Sequence, residues 1–171
     1  MATAFLTLGK RRPKPISADR YERALAWLAA LLFACAVIAI ARGRAEWGIV
    51  PALVWLHLVT ILLATGLTPV ILLRRRGDAR HRLLGRVWVA AMLVSAAISL
   101  GVRVIRPGHW SWIHLLSLYV LASAPAIWWS ARTHRLDLHR GLVRGMVTGA
   151  LVVAGFFTFP FGRMLGHWLL G

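Results

Sequence analysis

Five stretches of this chain are apolar over a length that a bilayer accommodates and a small soluble core does not. They run over about 24–41 ("ALAWLAALLFACAVIAIA"), 48–73, 87–105, 110–131 and 143–161. A hydrocarbon layer about 30 Å thick needs ~20 predominantly apolar residues per helical crossing. The apolar residues come as solid runs rather than at amphipathic spacing. They make up 59% of the 171 residues, and the mean hydropathy is +0.69; soluble domains average roughly 45–50%. The expected fold is all-α and integral to a membrane, with five transmembrane helices. The first block exceeds the apolar core of a cleaved signal, about 7–15 residues, and follows a long polar stretch, so it reads as a retained helix. Cys35, the single cysteine, allows no internal disulfide and no cysteine-based metal cage.

The net charge of +16 resembles a nucleic-acid signature until the basic residues are placed. Lys10, Arg11, Arg12, Lys14, Arg20 and Arg23 precede the first helix. Arg74, Arg75, Arg76, Arg80, Arg82 and Arg86 lie between the second and third, and Arg132, Arg135, Arg140 and Arg144 between the fourth and fifth. Only Arg42, Arg44, Arg103, Arg106 and Arg163 fall on the other side. Positive charge collects on the cytoplasmic side, which orients the N-terminus inward and the C-terminus outward, as in a bacterial inner membrane. The same clusters attract anionic lipid head groups, and no soluble basic face is left for nucleic acid.

Residues 1–20 read as a basic cytoplasmic arm, ending where Asp19 or Ser17 caps the first helix. Residues 21–171 form the five-helix domain, with short connections and with Pro69 and Pro125 inside helices. Two parts of that domain repeat. Trp55-Leu56-His57-Leu58 matches Trp112-Ile113-His114-Leu115, and Pro69 matches Pro125 with a one-residue slip. His81-Arg82 matches His139-Arg140, Arg86 matches Arg144, and Gly108-His109-Trp110 matches Gly166-His167-Trp168. Repeat units of about 50–107 and 108–168 imply a two-helix hairpin used twice in parallel, its four helices forming the core and the first helix packing outside them.

This arrangement sorts the seven histidines by depth. His57 and His114 lie within helices toward the outer side. His81 and His139 share the cytoplasmic ends of helices three and five. His109 and His167, each beside a tryptophan, fall at the outer boundary, and His134 in an inner loop. Two neutral imidazoles on separate helices are what the iron of haem b takes as axial ligands. The expected sites are an outer haem between His57 and His114 and an inner one between His81 and His139. Trp55 could stack on the porphyrin, and Arg82 and Arg140 at the rim could pair with its propionates. The small residues of "VSAAIS" and "VTGALVVAG" would let a flat macrocycle approach. Interhelical hydrogen bonding is a sufficient alternative reason for these histidines, and head-group contact for the inner two.

No acidic residue falls inside a block, so a carboxylate relay across the membrane is not expected. There is no nucleophile elbow, phosphate loop or metalloprotease motif. The tryptophans gather at block ends (Trp27, Trp47, Trp88, Trp110, Trp112, Trp128, Trp129, Trp168), as aromatic belts do.

The wording "HRLLGRVWV", "HLLSLYVLASAPAI", "HRLDLHRGLVRGM" and "AGFFTFPFGRMLG" resembles a family of small bacterial inner-membrane proteins described only as a domain of unknown function. The resemblance covers the chain from about residue 50 to its end and rests on the HR-x-x-G-R and FTF-x-x-GR motifs; in "HRGLVRGM" the family's methionine is displaced. By layout the chain is also similar to four-helix membrane cytochromes with stacked b haems. The leading expectation is an electron-transfer protein that binds haem b, linked to quinone or to another membrane protein. The alternatives are a non-catalytic accessory subunit of a larger membrane complex and a small transporter with helices two and four lining its site.

Overall fold

The computed structural model describes residues 17–101 and 112–171, the side chains of 112 and 113 excepted. Most of the basic arm, Arg103, Arg106 and the Gly108-His109-Trp110 end of the first repeat lie outside the described residues.

Among these residues the protein is all-helical. The order is α1 (Arg20–Arg42), a 3-10 segment (Gly43–Ile49), α2 (Ala52–Leu73), α3 (Ala79–Gly101), α4 (Trp112–Arg132), α5 (Leu136–Met146), a π-helical segment (Val147–Val153), α6 (Ala154–Phe156) and α7 (Met164–Leu170). Three helical stretches are long and apolar enough to cross a membrane: Arg20–Ile49, Ala52–Leu73 and Ala79–Gly101. Among the described residues α4 carries His114 and three serines, and α5 carries Arg140 and Arg144.

Local chemistry sets the helix starts. Asp19 caps α1 through the Glu22 backbone N–H (3.0 Å), and Glu22 reaches back to the Asp19 N–H (3.1 Å), a complete capping box. Asp78 accepts the His81 backbone N–H (2.5 Å) ahead of α3. The Asp78 carboxyl is held below the ordinary carboxylate range, first by that N–H and then by Arg74. Both α3 and α5 begin earlier than their apolar runs, so His81 and His139 stand on the first turns of helices rather than in loops.

Each long helix packs on its neighbours in sequence, and α1 closes the ring by packing on α2 on one side and on the π segment and α7 on the other. The first helix therefore sits in the ring, not outside a four-helix core. The centre is filled from α1 to α5 and the π segment: Leu25 and Ala26, Ala64 and Leu72, Met92 and Ala96, Val120 and Ala124, Met146 and Leu151. Outward-facing side chains are largely apolar, among them Trp27, Leu31, Val59 and Phe156. Continuous apolar surface of this kind is tolerated in lipid and exceptional on a soluble monomer.

Two features depart from the sequence expectation. The last apolar run does not continue to residue 161: the chain leaves α6 after Phe156, turns over 157–163, and returns as α7. In addition, Trp88 and Trp168 are buried rather than at the lipid boundary. Trp88 donates to Thr68 Oγ1 (3.0 Å) inside the core, and Trp168 donates to Glu46 Oε2 (3.0 Å). An indole whose N–H finds a buried acceptor can leave the belt for the interior.

Trp168 lies flat on Gly43, where a Cβ would stand 2.1 Å from the indole, whereas a Cβ at Gly48 would meet nothing within 4 Å. We expect Gly43→Ala to lower stability by about 1–3 kcal/mol through overpacking and Gly48→Ala to change it little. Thermal unfolding in detergent checks both, and equal effects would contradict the stacking.

Candidate functional site at the arginine-rich end

The end of the bundle where α1 begins gathers charge from three parts of the chain. Glu22, on the first turn of α1, is 2% exposed, and burial of a carboxylate requires partners. It has three. Arg140 Nε donates to Glu22 Oε1 at 2.7 Å, Arg144 Nε donates to the same oxygen at 3.1 Å, and Arg76 from the α2–α3 connection pairs with Oε2. Arg140 also reaches Asp19 at 2.8 Å, and Arg144 bonds the same carboxylate oxygen. Two carboxylates thus meet three guanidiniums, tying α1 to α5 and to the α2–α3 connection.

Sequence position had placed Glu22 at a block edge and missed this role. The signal was available as the Asp19-x-x-Glu22 capping pattern, but its burial depends on arginines that the fold brings from more than fifty residues away. The arginines expected at a cofactor rim are therefore engaged: Arg140 holds Glu22 and Asp19, and Arg82 donates to the Gly77 carbonyl.

His81 and His139 stand on the first turns of α3 and α5, and Arg76 is among the charges that bear on each ring. His139 Nδ1 lies 3.1 Å from the Ile127 carbonyl of α4. A carbonyl only accepts, so Nδ1 carries the proton and Nε2 keeps its lone pair. His81 Nδ1 is buried without a hydrogen-bond partner, alone in this among the described side chains. The Ile71 backbone of α2 also acts on the His81 ring. Ile71 and Ile127 each stand two residues after a helix proline, Pro69 and Pro125. Each inner histidine thus faces the backbone just past the proline of the preceding helix.

The outer histidines are arranged differently. His57 Nδ1 is 3.1 Å from both the carbonyl oxygen and the hydroxyl of Ser95 on α3, inside the same hairpin. His114 is buried on α4 and engaged in interactions of its own. Trp55 packs edge-on against Trp47 (centroids 5.3 Å apart) and directs its N–H toward the Trp47 carbonyl (3.4 Å). His167 is exposed, 3.8 Å from Glu46, and His134 occupies the α4–α5 turn with φ +55°. Among the described residues no group of three or more His, Cys, Asp or Glu side chains is arranged to hold a metal ion.

Compared with protein-family models, curated proteins and solved structures, the chain matches none.

Truncating Glu22 leaves three guanidiniums facing a desolvated void, so Glu22→Ala should lower stability by about 3 kcal/mol, read by chemical unfolding in micelles. An unchanged midpoint would contradict the clasp. Asp19 is held below the ordinary carboxylate range, first by the Glu22 N–H and then by Arg144 and Arg140. A depressed folded value contributes stability that is complete above the unfolded value of ~3.9 and lost as pH falls through the folded one. The melting temperature should therefore fall with acid below pH ~4, and Asp19→Asn should flatten that fall.

Proposed function

We propose that the protein is a haem-b-binding membrane electron carrier whose axial ligands at the arginine-rich end are His81 and His139. The observation that carries this reading is the buried Nδ1 of His81, which has no hydrogen-bond partner, on the first turn of α3, with His139 in the matching place on α5. Such an orphan in a native interior calls for a ligand, and haem iron takes two imidazoles. The donor set fits the group: His139 keeps a free Nε2 lone pair, and His81 has ring nitrogen to offer. The second site of this reading is His57, whose Nε2 is left open by its bond to Ser95, with His114 on α4. The inner pair leads because His81 Nδ1 is buried without a partner, whereas His57 Nδ1 is bonded within its own hairpin.

Bound haem would supply reversible one-electron chemistry, and the protein's own groups would set its conditions. The Ile127 carbonyl fixes the tautomer and orientation of His139. The Arg76 guanidinium imposes positive potential on both rings, which favours the more electron-rich state of anything held between them. Glu22 moderates that field. The reading takes the chain as a five-span inner-membrane protein with α2–α3 and α4–α5 as repeated hairpins. The recurring proline, isoleucine carbonyl and histidine of each unit support it. The exchange partner is a membrane quinone or another membrane protein.

The test is the absorption spectrum of protein purified in mild detergent from cells supplied with haem. A sharp α-band on dithionite reduction is expected, lost in His81→Ala and in His139→Ala. A colourless protein would overturn the reading. A band that survives both inner substitutions and disappears with His57→Ala and His114→Ala would move the site to the other end.

A further inference from the structure

At the far end of the bundle the chain makes a compact hairpin that lifts three phenyl rings off the body of the protein. Phe156, Phe157 and Phe161 are 58%, 50% and 81% exposed. They touch one another, Phe156 against Phe157 edge-on at 5.6 Å and Phe157 stacked on Phe161 at 6.2 Å. Phe161 is held at φ +64° and Gly162 at φ +65°. The left-handed region is sterically unfavourable for a bulky L-residue, and an exposed phenyl in water returns nothing for it.

The hairpin is not a loose tail. Its turn is closed by Thr158 and Phe159 N–H groups on the Gly155 and Phe156 carbonyls (both 3.1 Å). α7 presses so closely on the turn that a Cβ at Gly166 would lie 1.6 Å from the Phe159 carbonyl oxygen. Trp168 then locks α7 onto Gly43 and Glu46, and Leu165 joins Ala39 and Leu58 in a second small core. A rigid platform with its aromatic side outward is built to meet something apolar.

We infer that this aromatic hairpin is an interfacial anchor seated in the lipid leaflet at the far end of the bundle. Its occupant is the bilayer because the rings continue the outward apolar surface of the helix they follow, Val153 and Phe156 included, rather than forming an isolated patch. Arg163 ends the turn, a basic residue next to the rings as at a head-group boundary, and aromatic rings favour that boundary. The last residues thus return to the membrane surface after α6 instead of leaving it.

Depth measurement by spin labelling decides the matter without reference to any cofactor. With Cys35→Ala as background, a nitroxide is placed by Phe161→Cys, with His167→Cys, at a position 63% exposed, as the solvent-side comparison. The protein is reconstituted in phosphatidylcholine–phosphatidylglycerol vesicles. Oxygen, which partitions into lipid, should relax the label at 161 several-fold more effectively than a water-soluble nickel chelate, with the reverse order at 167. Nickel-dominated relaxation at 161 would overturn the inference. Protection from both relaxants would also overturn it, pointing to a protein partner or a second copy. Phe157→Cys gives the same reading if the variant at 161 does not fold.

Discussion

A buried carboxylate organises this molecule. Glu22 lies at the start of the first helix, almost without solvent, and three guanidiniums from the α2–α3 connection and from α5 converge on it. Removing water from one carboxylate is costly, and only fixed positive partners offset that cost. The geometry of the arginine-rich end follows from this requirement. α1 is drawn into the ring between α2 on one side and the π segment and α7 on the other, α5 is held through Arg140 and Arg144, and Arg76 is fixed on Glu22. The capping box at Asp19 belongs to the same set, since one pair of side chains both begins the helix and presents its charge.

The two ends of the bundle use opposite physics. Near Glu22 the contacts are ionic and directional. At the far end Trp168, Leu165, Ala39 and Leu58 form a small apolar core, with Glu46 as its polar anchor. Between them small and medium side chains fill the middle: Ala26, Ala64, Ala96 and Ala124 allow close helix approach, as membrane interfaces favour. Hydroxyls in this layer are satisfied locally, Thr65 on the Ile61 carbonyl and Thr68 on that of Ala64. Backbone and hydroxyl groups without access to water leave little choice. The π-helical stretch at Val147–Val153 interrupts this regularity where the last helix passes α1, and there Thr148 meets the Tyr21 hydroxyl at 2.6 Å.

The apolar runs were legible because a bilayer imposes length and composition together, and the all-helical character followed from them. Asp19 as a cap was legible from local chemistry. The matching positions of the histidines were legible from repeated wording, but their surroundings were not. Those surroundings depend on α3 and α5 starting before their apolar runs, an extension made by capping at Asp78 and by arginine pairing. The burial of Glu22 escaped the sequence for a related reason. A carboxylate at a helix edge reads as solvated until partners distant in the chain are known to arrive. Trp88 and Trp168 were read as belt residues because composition gives position along a helix but not facing, and their N–H acceptors lie on other elements. The return of the chain after Phe156 was masked by the "FTFPF" run, which is as apolar as a helix end.

The central claim is that the fold brings His81 and His139 together as one two-imidazole site. Electron paramagnetic resonance of the oxidised protein after haem reconstitution tests it most directly, because spin state reports axial ligation. A low-spin spectrum that turns high-spin in His139→Ala and is unchanged in His57→Ala is the result this arrangement predicts. A high-spin wild-type spectrum, or haem that fails to bind at all, would contradict it.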